Sequence, residues 1–238
     1  MADGATPGKE RRIAARELLT EAELERLRKR STLRGALLIA HAWAVIFGAI
    51  ALVAWWPNPL TLVLAVMLIG SRQLGLAILM HDGAHGALAQ GEKLNMWLSQ
   101  WFCAYPIFAE TRAYRRYHLQ HHARTQQPDD PDLVLSAPFP ITRASYRRKF
   151  WRDLTGRTGF EQRKAQFKMA LGEPGWGWRR RMVHFMDRLG PQVLTNAILF
   201  AILAACGVWW AYPLLWIGPL LTWMMVITRI RNIAEHAV

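Results

Sequence analysis

The sequence predicts an all-α integral membrane protein: four transmembrane helices arranged as two hairpins, with a histidine-rich cap on the cytoplasmic side. Of the 238 residues, 52% are hydrophobic, yet the formal net charge is +13. The two properties are segregated along the chain, because residues 35–71 and 189–228 contain no Asp, Glu, Lys or Arg. Charge-free tracts of this length indicate membrane-spanning segments.

Each charge-free tract is long enough for two crossings, since a membrane-spanning helix needs roughly 20 predominantly apolar residues. Both tracts are interrupted near the middle, the first by the sequence WWPNP at 55–59 and the second by WWAYP at 209–213. Proline lacks an N–H and aromatic side chains favour the lipid–water boundary, so both sequences are typical of a turn at a membrane face. The predicted spans are 35–56, 59–80, 192–210 and 213–230.

The basic residues predict the orientation. Nine of the 30 Lys and Arg precede residue 35 and eighteen lie in residues 81–190, whereas the two turns have none. Lys and Arg accumulate on the cytoplasmic side, and we therefore expect both termini and the middle segment there, in a bacterial plasma membrane rather than the endoplasmic reticulum. Residues 1–34 lack the apolar core of a signal peptide. They are predicted to be a cytoplasmic segment ahead of a membrane domain at 35–238.

Six of the eight histidines fall into three groups at the predicted cytoplasmic ends of the spans or between them: HDGAH at 81–85, HLQHH at 118–122 and NIAEH at 232–236. Residues three or four apart share one face of a helix, so each group can direct its side chains at one point. The hairpins bring the first and third groups to the same side of the membrane. These groups predict a metal site whose candidate ligands are His81, His85, His118, His121, His122 and His236.

The number of candidate ligands narrows the kind of metal site. Neutral imidazole suits zinc, copper, iron and nickel, but a structural zinc site closes with four ligands. More than four histidines favour a dinuclear site with positions left open for a reactive ligand such as dioxygen. The two cysteines, Cys103 and Cys206, form no CxxC pair, which argues against an iron–sulfur cluster.

The HxxxH and HxxHH boxes beside membrane hairpins resemble those of the membrane fatty acid desaturase and hydroxylase superfamily, from about Gly35 to the end of the sequence. The resemblance implies a non-haem di-iron centre bound by the six candidate histidines, with Asn232 contacting a metal through water. Asp82 and Glu235 lie inside the boxes, and we expect them to orient ligand imidazoles by hydrogen bonds to the ring nitrogen that does not bind metal. The carboxylates of the sequence QPDDPD at 127–132 are expected mainly to stabilise a turn, and the alternative is that they orient ligand histidines.

The activity that the resemblance implies is O2-dependent desaturation of a fatty acyl lipid. A lipid or carotenoid hydroxylase or ketolase of the same superfamily is the first alternative, and a non-catalytic, truncated membrane paralogue is the second. Because the sequence has no GxGxxG fingerprint and no flavin or haem motif, electrons would come from a separate protein similar to a ferredoxin or cytochrome b5. The basic, aromatic segment 143–188 is expected to contact anionic lipid or that carrier, not nucleic acid.

One departure from the superfamily is the absence of a second HxxHH box after the fourth span. We therefore expect the 238 residues to belong to a longer protein, with the membrane domain truncated at its C-terminus. The two remaining histidines have no neighbours at ligand spacing and are given no metal role. His41 is predicted to be a packing residue of the first span, and His184 to be interfacial.

Overall fold

The computed structural model describes residues 15–125, 127–133 and 139–236, and its regular structure is helical with no strand in those residues. Two short helices precede the membrane, α1 (Ala15–Leu18) and α2 (Glu21–Arg28). Helix α2 begins at a capping box, in which the Thr20 hydroxyl accepts from the Glu23 N–H and the Glu23 carboxylate accepts from the Thr20 N–H.

The first hairpin consists of α3 (Thr32–Trp55) and α4 (Pro59–Ala84). Its turn is organised by Asn58, whose Oδ1 accepts from the N–H of Leu60 at 3.0 Å and of Thr61 at 3.1 Å. A proline at the first position of α4 needs no hydrogen-bond acceptor, so this turn satisfies the start of the helix with local groups. The turn predicted at 55–59 is therefore present.

Helix α3 packs against α4 through one apolar face. Its buried residues recur at helical spacing and are Gly35, Ile39, Ala42, Ile46, Ala49, Ile50 and Val53. The prediction that His41 packs inside the bundle is wrong, because its side chain is exposed. Since successive helical residues are about 100° apart, His41 is rotated off the face that Ala42 and Ile46 bury.

The helical segment between the first hairpin and the second histidine group changes its helical form along its length. Helix α5 (Glu92–Leu98) continues into a π-helix at Ser99–Ala104 and then a 3₁₀ turn at Tyr105–Ile107. Helix α6 (Thr111–Arg124), which carries the second histidine group, follows after Glu110 caps its first turn. The π-helix thus leads directly from the end of α5 to the start of a histidine-bearing helix.

Two helices follow the described part of the turn after α6: α7 (Arg143–Leu154) and α8 (Arg157–Ala170). Helix α7 contacts the last part of the fourth span, and α8 contacts both the third span and the middle of the fourth. We call α6, α7 and α8 the cap, because they cover the end of the bundle opposite to the two hairpin turns.

The second hairpin differs from its predicted bounds. Helix α9 (Trp178–Ala205) begins 14 residues before the predicted position 192 and includes Pro191. The fourth span consists of a π-helix at Tyr212–Ile217 and two helices, α10 (Gly218–Leu221) and α11 (Trp223–His236), with a break at Thr222. Four helical segments are long and apolar enough to cross a bilayer, as predicted: Thr32–Trp55, Pro59–Ala84, Trp178–Ala205 and Tyr212–Glu235.

The fourth span packs mainly against α4 instead of lying along α9. Its first part is held to α9 by Asn196, whose Oδ1 accepts from the Tyr212 hydroxyl at 3.0 Å and the Trp216 indole N–H at 3.1 Å. Its break is covered by the cap at Gly159, where an added Cβ would lie 2.5 Å from the carbonyl oxygen of Leu221. Only glycine allows the two backbones to approach this closely.

Candidate metal centre

Four of the six candidate histidines converge on one point, and they are His81, His85, His118 and His122. Each offers one ring nitrogen, and these four nitrogens lie within 4.8 Å of one another. His118 Nε2 is 3.0 Å from His85 Nε2 and 2.9 Å from His122 Nε2. Two nitrogens bound to one metal ion at about 2.1 Å and a right angle would be about 3 Å apart. The spacing therefore fits shared coordination of a metal ion.

The two pairs of histidines are supplied by the ends of two helices that meet. His81 lies in the last turn of α4 and His85 is its C-cap, whereas His118 and His122 lie one turn apart on α6. Gly83 stands between the first two, and a Cβ there would overlap the hydroxyl of Ser99. The glycine of the HDGAH box thus lets the end of α4 rest directly on the π-helix.

Buried hydrogen bonds fix the chain reversal after the first histidine pair. Asn95 is 2% exposed, and its Oδ1 accepts from the N–H of Leu88 at 3.0 Å and of Ala89 at 3.2 Å. Its Nδ2 donates to the carbonyl oxygen of Gly83 at 2.8 Å. A single side chain therefore satisfies three backbone groups that the turn would otherwise leave unpaired in the interior.

A second set of buried contacts joins the π-helix to α6. The hydroxyls of Ser99 and Thr111 are 2.9 Å apart, and the Thr111 N–H donates to Gln100 Oε1 at 2.8 Å. The Arg115 guanidinium also donates to the carbonyl oxygen of Ala84 at the end of α4. Through these bonds the helices that carry the two histidine pairs are held in one register.

The electrostatic environment keeps His85, His118 and His122 of the cluster neutral. Burial, followed by repulsion from the neighbouring imidazoles of His81 and His122, lowers the pKa of His118 to about 4. Burial is also the main cause that lowers the pKa of His85, and repulsion from His81 is the next. The pKa of His122 is lowered mainly by burial and then by repulsion from His121. A metal ion binds the unprotonated ring nitrogen, so these imidazoles are ready to bind metal at neutral pH.

His121, the fifth candidate, points its Nδ1 at carboxylates of the turn that follows α6. This nitrogen is 2.8 Å from Asp130 Oδ1 and 3.4 Å from Asp132 Oδ2. Asp130 also accepts from the Asp132 N–H at 2.8 Å, so it stabilises the turn as predicted. Its contact with His121 suits the alternative role predicted for these carboxylates, because it occupies Nδ1 and leaves Nε2 as the ring nitrogen available to a metal.

The two carboxylates predicted to orient ligands lie in different surroundings. Asp82 Oδ1 is 3.3 Å from His81 Nδ1, a contact that suits the predicted role. Glu235 Oε1 instead accepts from Arg231 Nε at 2.9 Å, one helical turn earlier in α11. His236 is the last residue of α11, and its side chain lies outside the described part of the chain.

A cavity of about 510 Å³ adjoins the cluster and brings the three histidine groups to one space. Its lining residues are His81, Tyr114, Tyr117, His118, His121, His122, Asp132, Arg231, Asn232 and Glu235. The candidate ligand Asn232 is therefore on the same cavity as four candidate histidines. The arrangement has room for a second metal ion beside the four clustered nitrogens.

Two tyrosines beside the cluster were not identified from the sequence. The Tyr114 ring stacks on His118 with centroids 4.9 Å apart, and burial raises the pKa of Tyr114 to about 12. The Tyr117 hydroxyl donates to Asp132. Tyr114 is one helical turn before His118, a spacing that could have revealed it. The remaining histidines lie elsewhere, with His184 Nδ1 placed 2.7 Å from the carbonyl oxygen of Ala170.

Four long apolar helices with clustered histidines at one end define, in the described part of the chain, a multi-pass membrane protein with a candidate metal centre. The particular family follows from comparison with known proteins. The family model described as fatty acid desaturase matches residues 54–238, most of the chain, and the protein belongs to that family. The predicted superfamily is thereby confirmed, and family membership indicates an oxidoreductase. The four long apolar helices confirm the predicted all-α membrane fold, whereas the cytoplasmic side of the cap stays a prediction.

The chain is also similar to dihydrorhizobitoxine desaturase of Bradyrhizobium elkanii, with 31% identity over 213 residues. The alignment covers 85% of this chain and 59% of the relative, so the chain spans about three fifths of that protein's length. No solved structure matches the chain significantly.

Proposed function

We propose that this protein is an O2-dependent desaturase that acts on an acyl chain of a lipid at a histidine-ligated di-iron centre. The observation that carries the proposal is the convergence of four imidazole nitrogens within 4.8 Å in a chain of the desaturase family. The proposed ligands are the six histidines of the three groups, with Asn232 acting through water.

In the proposed reaction the substrate loses two hydrogen atoms from adjacent carbons, and O2 accepts these together with two electrons and two protons from outside to give two water molecules. The iron centre, when bound, would supply the activation of O2 and the removal of hydrogen. Side chains of the protein orient the histidine ligands and exclude water from them. Asp130 holds the Nδ1–H of His121, Asp82 does the same for His81, and the ring of Tyr114 excludes water from one side of His118.

The external electrons require a separate carrier, which we propose to be a ferredoxin-like or cytochrome b5-like protein. The helices of the cap are rich in Arg and Lys, and such a surface attracts an acidic partner. A membrane lipid and O2 are the other proposed partners, and no nucleic acid is involved.

The proposal is tested with purified protein, ferrous iron, a chemical reductant and O2, with a mixture of bacterial lipids as substrate. We expect a product two mass units lighter than its precursor, formed only when O2 is present. His118→Ala should lose both bound iron and product, since its imidazole lies nearest to two other ligands. His184→Ala is the matched control and should retain both. A product that gains oxygen would support the hydroxylase alternative, whereas folded protein that binds no iron would support the non-catalytic one.

We further propose that the cap faces the cytoplasm of a bacterial cell, because 27 of the 30 Lys and Arg lie before residue 35 or in residues 81–190. The test starts from a Cys206→Ser background, since Cys206 is exposed. A cysteine at Asn58 should react with a membrane-impermeant maleimide from outside intact cells, and one at Arg148 should react only after lysis. Labelling of the Arg148 position from outside would overturn the orientation.

A further inference from the structure

A second cavity, of about 500 Å³, lies on the other side of the histidine cluster. It is enclosed between the segment that joins α2 to α3 and the loop that follows α4. Among its lining residues are four basic side chains, one carboxylate and one histidine of the cluster, namely Arg28, Lys29, Arg30, Arg34, Asp82 and His85. We call it the basic cavity. It places a strong positive charge directly beside the candidate metal centre.

Two of the four basic residues are not explained by local stabilisation. Arg34 lies in the first turn of α3 and Arg30 lies just before that helix, where the helix dipole disfavours positive charge, whereas Arg28 and Lys29 end α2, where it favours positive charge. None of the four forms an ion pair with a carboxylate in the parts of the chain that the structure describes. Four cations around one carboxylate, Asp82, at the N-terminus of α3 form a place where an anion is stabilised by charge and by the backbone N–H groups of the helix.

Hydrogen bonds hold the two sides of the basic cavity together. Gln90 donates from Nε2 to the carbonyl oxygen of Arg30 at 2.8 Å and from its backbone N–H to Thr32 Oγ1 at 3.0 Å. The Arg30 guanidinium lies beside Gly86, the residue that follows His85. The positive groups are thereby tied to the same loop that carries a candidate metal ligand.

We propose that the basic cavity binds the phosphate end of the substrate and so sets which part of the molecule reaches the histidine cluster past His85. This inference rests on the proposed function only in treating the bound phosphate compound as the substrate. Phosphate binding itself needs neither metal nor turnover. The basic residues precede residue 54, where the match to the family begins, so the site is a property of this chain's N-terminal segment. The phosphate could belong to a membrane phospholipid or to a soluble phosphate ester.

The test measures phosphate binding to the full chain, purified in an uncharged detergent at low salt, without added metal. Inorganic phosphate is titrated by calorimetry, and phosphatidic acid is offered in nanodiscs of otherwise zwitterionic lipid. The test variant is Arg28→Gln/Arg30→Gln/Arg34→Gln. Its control, Arg112→Gln/Arg116→Gln/Arg124→Gln, removes the same charge from exposed positions of the cap helix α6.

We expect the test variant to bind the phosphate probes at least tenfold more weakly than the unmodified protein, and the control to bind them normally, since each lost contact is a charge-assisted one. An effect confined to nanodiscs would identify a lipid headgroup, and one seen also with inorganic phosphate would identify a soluble ester. Equal losses in test and control variants, or no loss in either, would overturn the site. Should the triple variant misfold, Arg34→Gln alone is expected to weaken binding about threefold or more, and an unchanged affinity would refute the proposal.

Discussion

The two hairpins each cross the membrane twice, but their helices are built and packed differently. In the first, α3 and α4 are uninterrupted helices of 24 and 26 residues that pack against each other through an apolar core. In the second, α9 is continuous, but the fourth span changes from a π-helix to two α-helices separated at Thr222, and it packs mainly on α4. Asn196, near the middle of α9, supplies hydrogen bonds between the helices of the second hairpin.

This difference divides the candidate metal centre into two parts. The histidines of α4 and α6 are held by buried hydrogen bonds within one continuous framework. The third group lies on α11, which the cap holds through Asp153 on α7, a side chain that is 1% exposed and pairs with both Nε and Nη2 of Arg229. Arg229 is one turn before Asn232 on the same helix. The position of the third group therefore depends on a charge pair in the cap.

The largest expected effect comes from removing that pair. Asp153→Ala leaves the Arg229 guanidinium partly buried without its partner, and we expect the free energy of unfolding to fall by about 3 kcal/mol. Chemical unfolding in detergent micelles measures the change. The control is Asp187→Ala, whose 4.0 Å pair with Arg188 is exposed and should contribute less than about 0.5 kcal/mol. Equal losses in the two variants would show that α11 does not depend on the cap.

Asn196 provides a second test of the comparison, in the middle of α9. Replacing it by Leu leaves the Tyr212 hydroxyl and the Trp216 indole N–H without their acceptor, and we expect a loss of about 2 kcal/mol. Leu194→Ala, on the exposed face of the same helix, is the control and should change stability by less than about 0.5 kcal/mol. If Asn196→Leu proved as stable as the control, apolar packing alone would hold the second hairpin.

Substitution of Gly83 in α4 is expected to have the smallest effect on stability, together with a direct effect on metal binding, and Gly75 in the same helix provides the control. Gly83→Ala forces the end of α4 away from Ser99, so we expect a loss of about 1–2 kcal/mol and a lower metal content. Gly75→Ala, in the same helix, meets open space and should be neutral or stabilising by up to about 1 kcal/mol. Metal content and thermal unfolding are measured together. Normal metal binding by Gly83→Ala would mean that the framework of the first hairpin adapts.

Periodicity predicted the parts of the molecule that are regular helices. The spacing of His81 with His85 and of His118 with His122 was enough to predict the four histidines that converge, because helical geometry fixes such pairs. A contact of the 127–132 carboxylates with a histidine was the less favoured prediction, and the pairing of Asp130 with His121 could not be specified because it forms across a turn whose conformation has no periodic signal. Tertiary hydrogen bonds of this kind appear only when the helices have been assembled.

The bounds of the second hairpin were predicted less well, for two physical reasons. Helix α9 extends back to Trp178 because its basic first turns are helical outside the apolar tract, a stretch that a hydropathy criterion does not include. The break at Thr222 follows Gly218 and Pro219, a helix-disrupting pair inside an apolar tract, and these two residues are the signal that could have predicted it.

The length of α4 has a consequence for how a lipid would be oxidised. His81 is 22 residues beyond Pro59, so along a helix it lies about 33 Å from the outer turn. A hydrocarbon core is about 30 Å thick, which puts the cluster just past its boundary and level with the headgroups. The acyl chain of a lipid in the bilayer has its middle carbons deep in the hydrocarbon core, away from the level of the headgroups. Those carbons would have to rise out of the bilayer to react, so such a reaction would begin with partial extraction of the lipid.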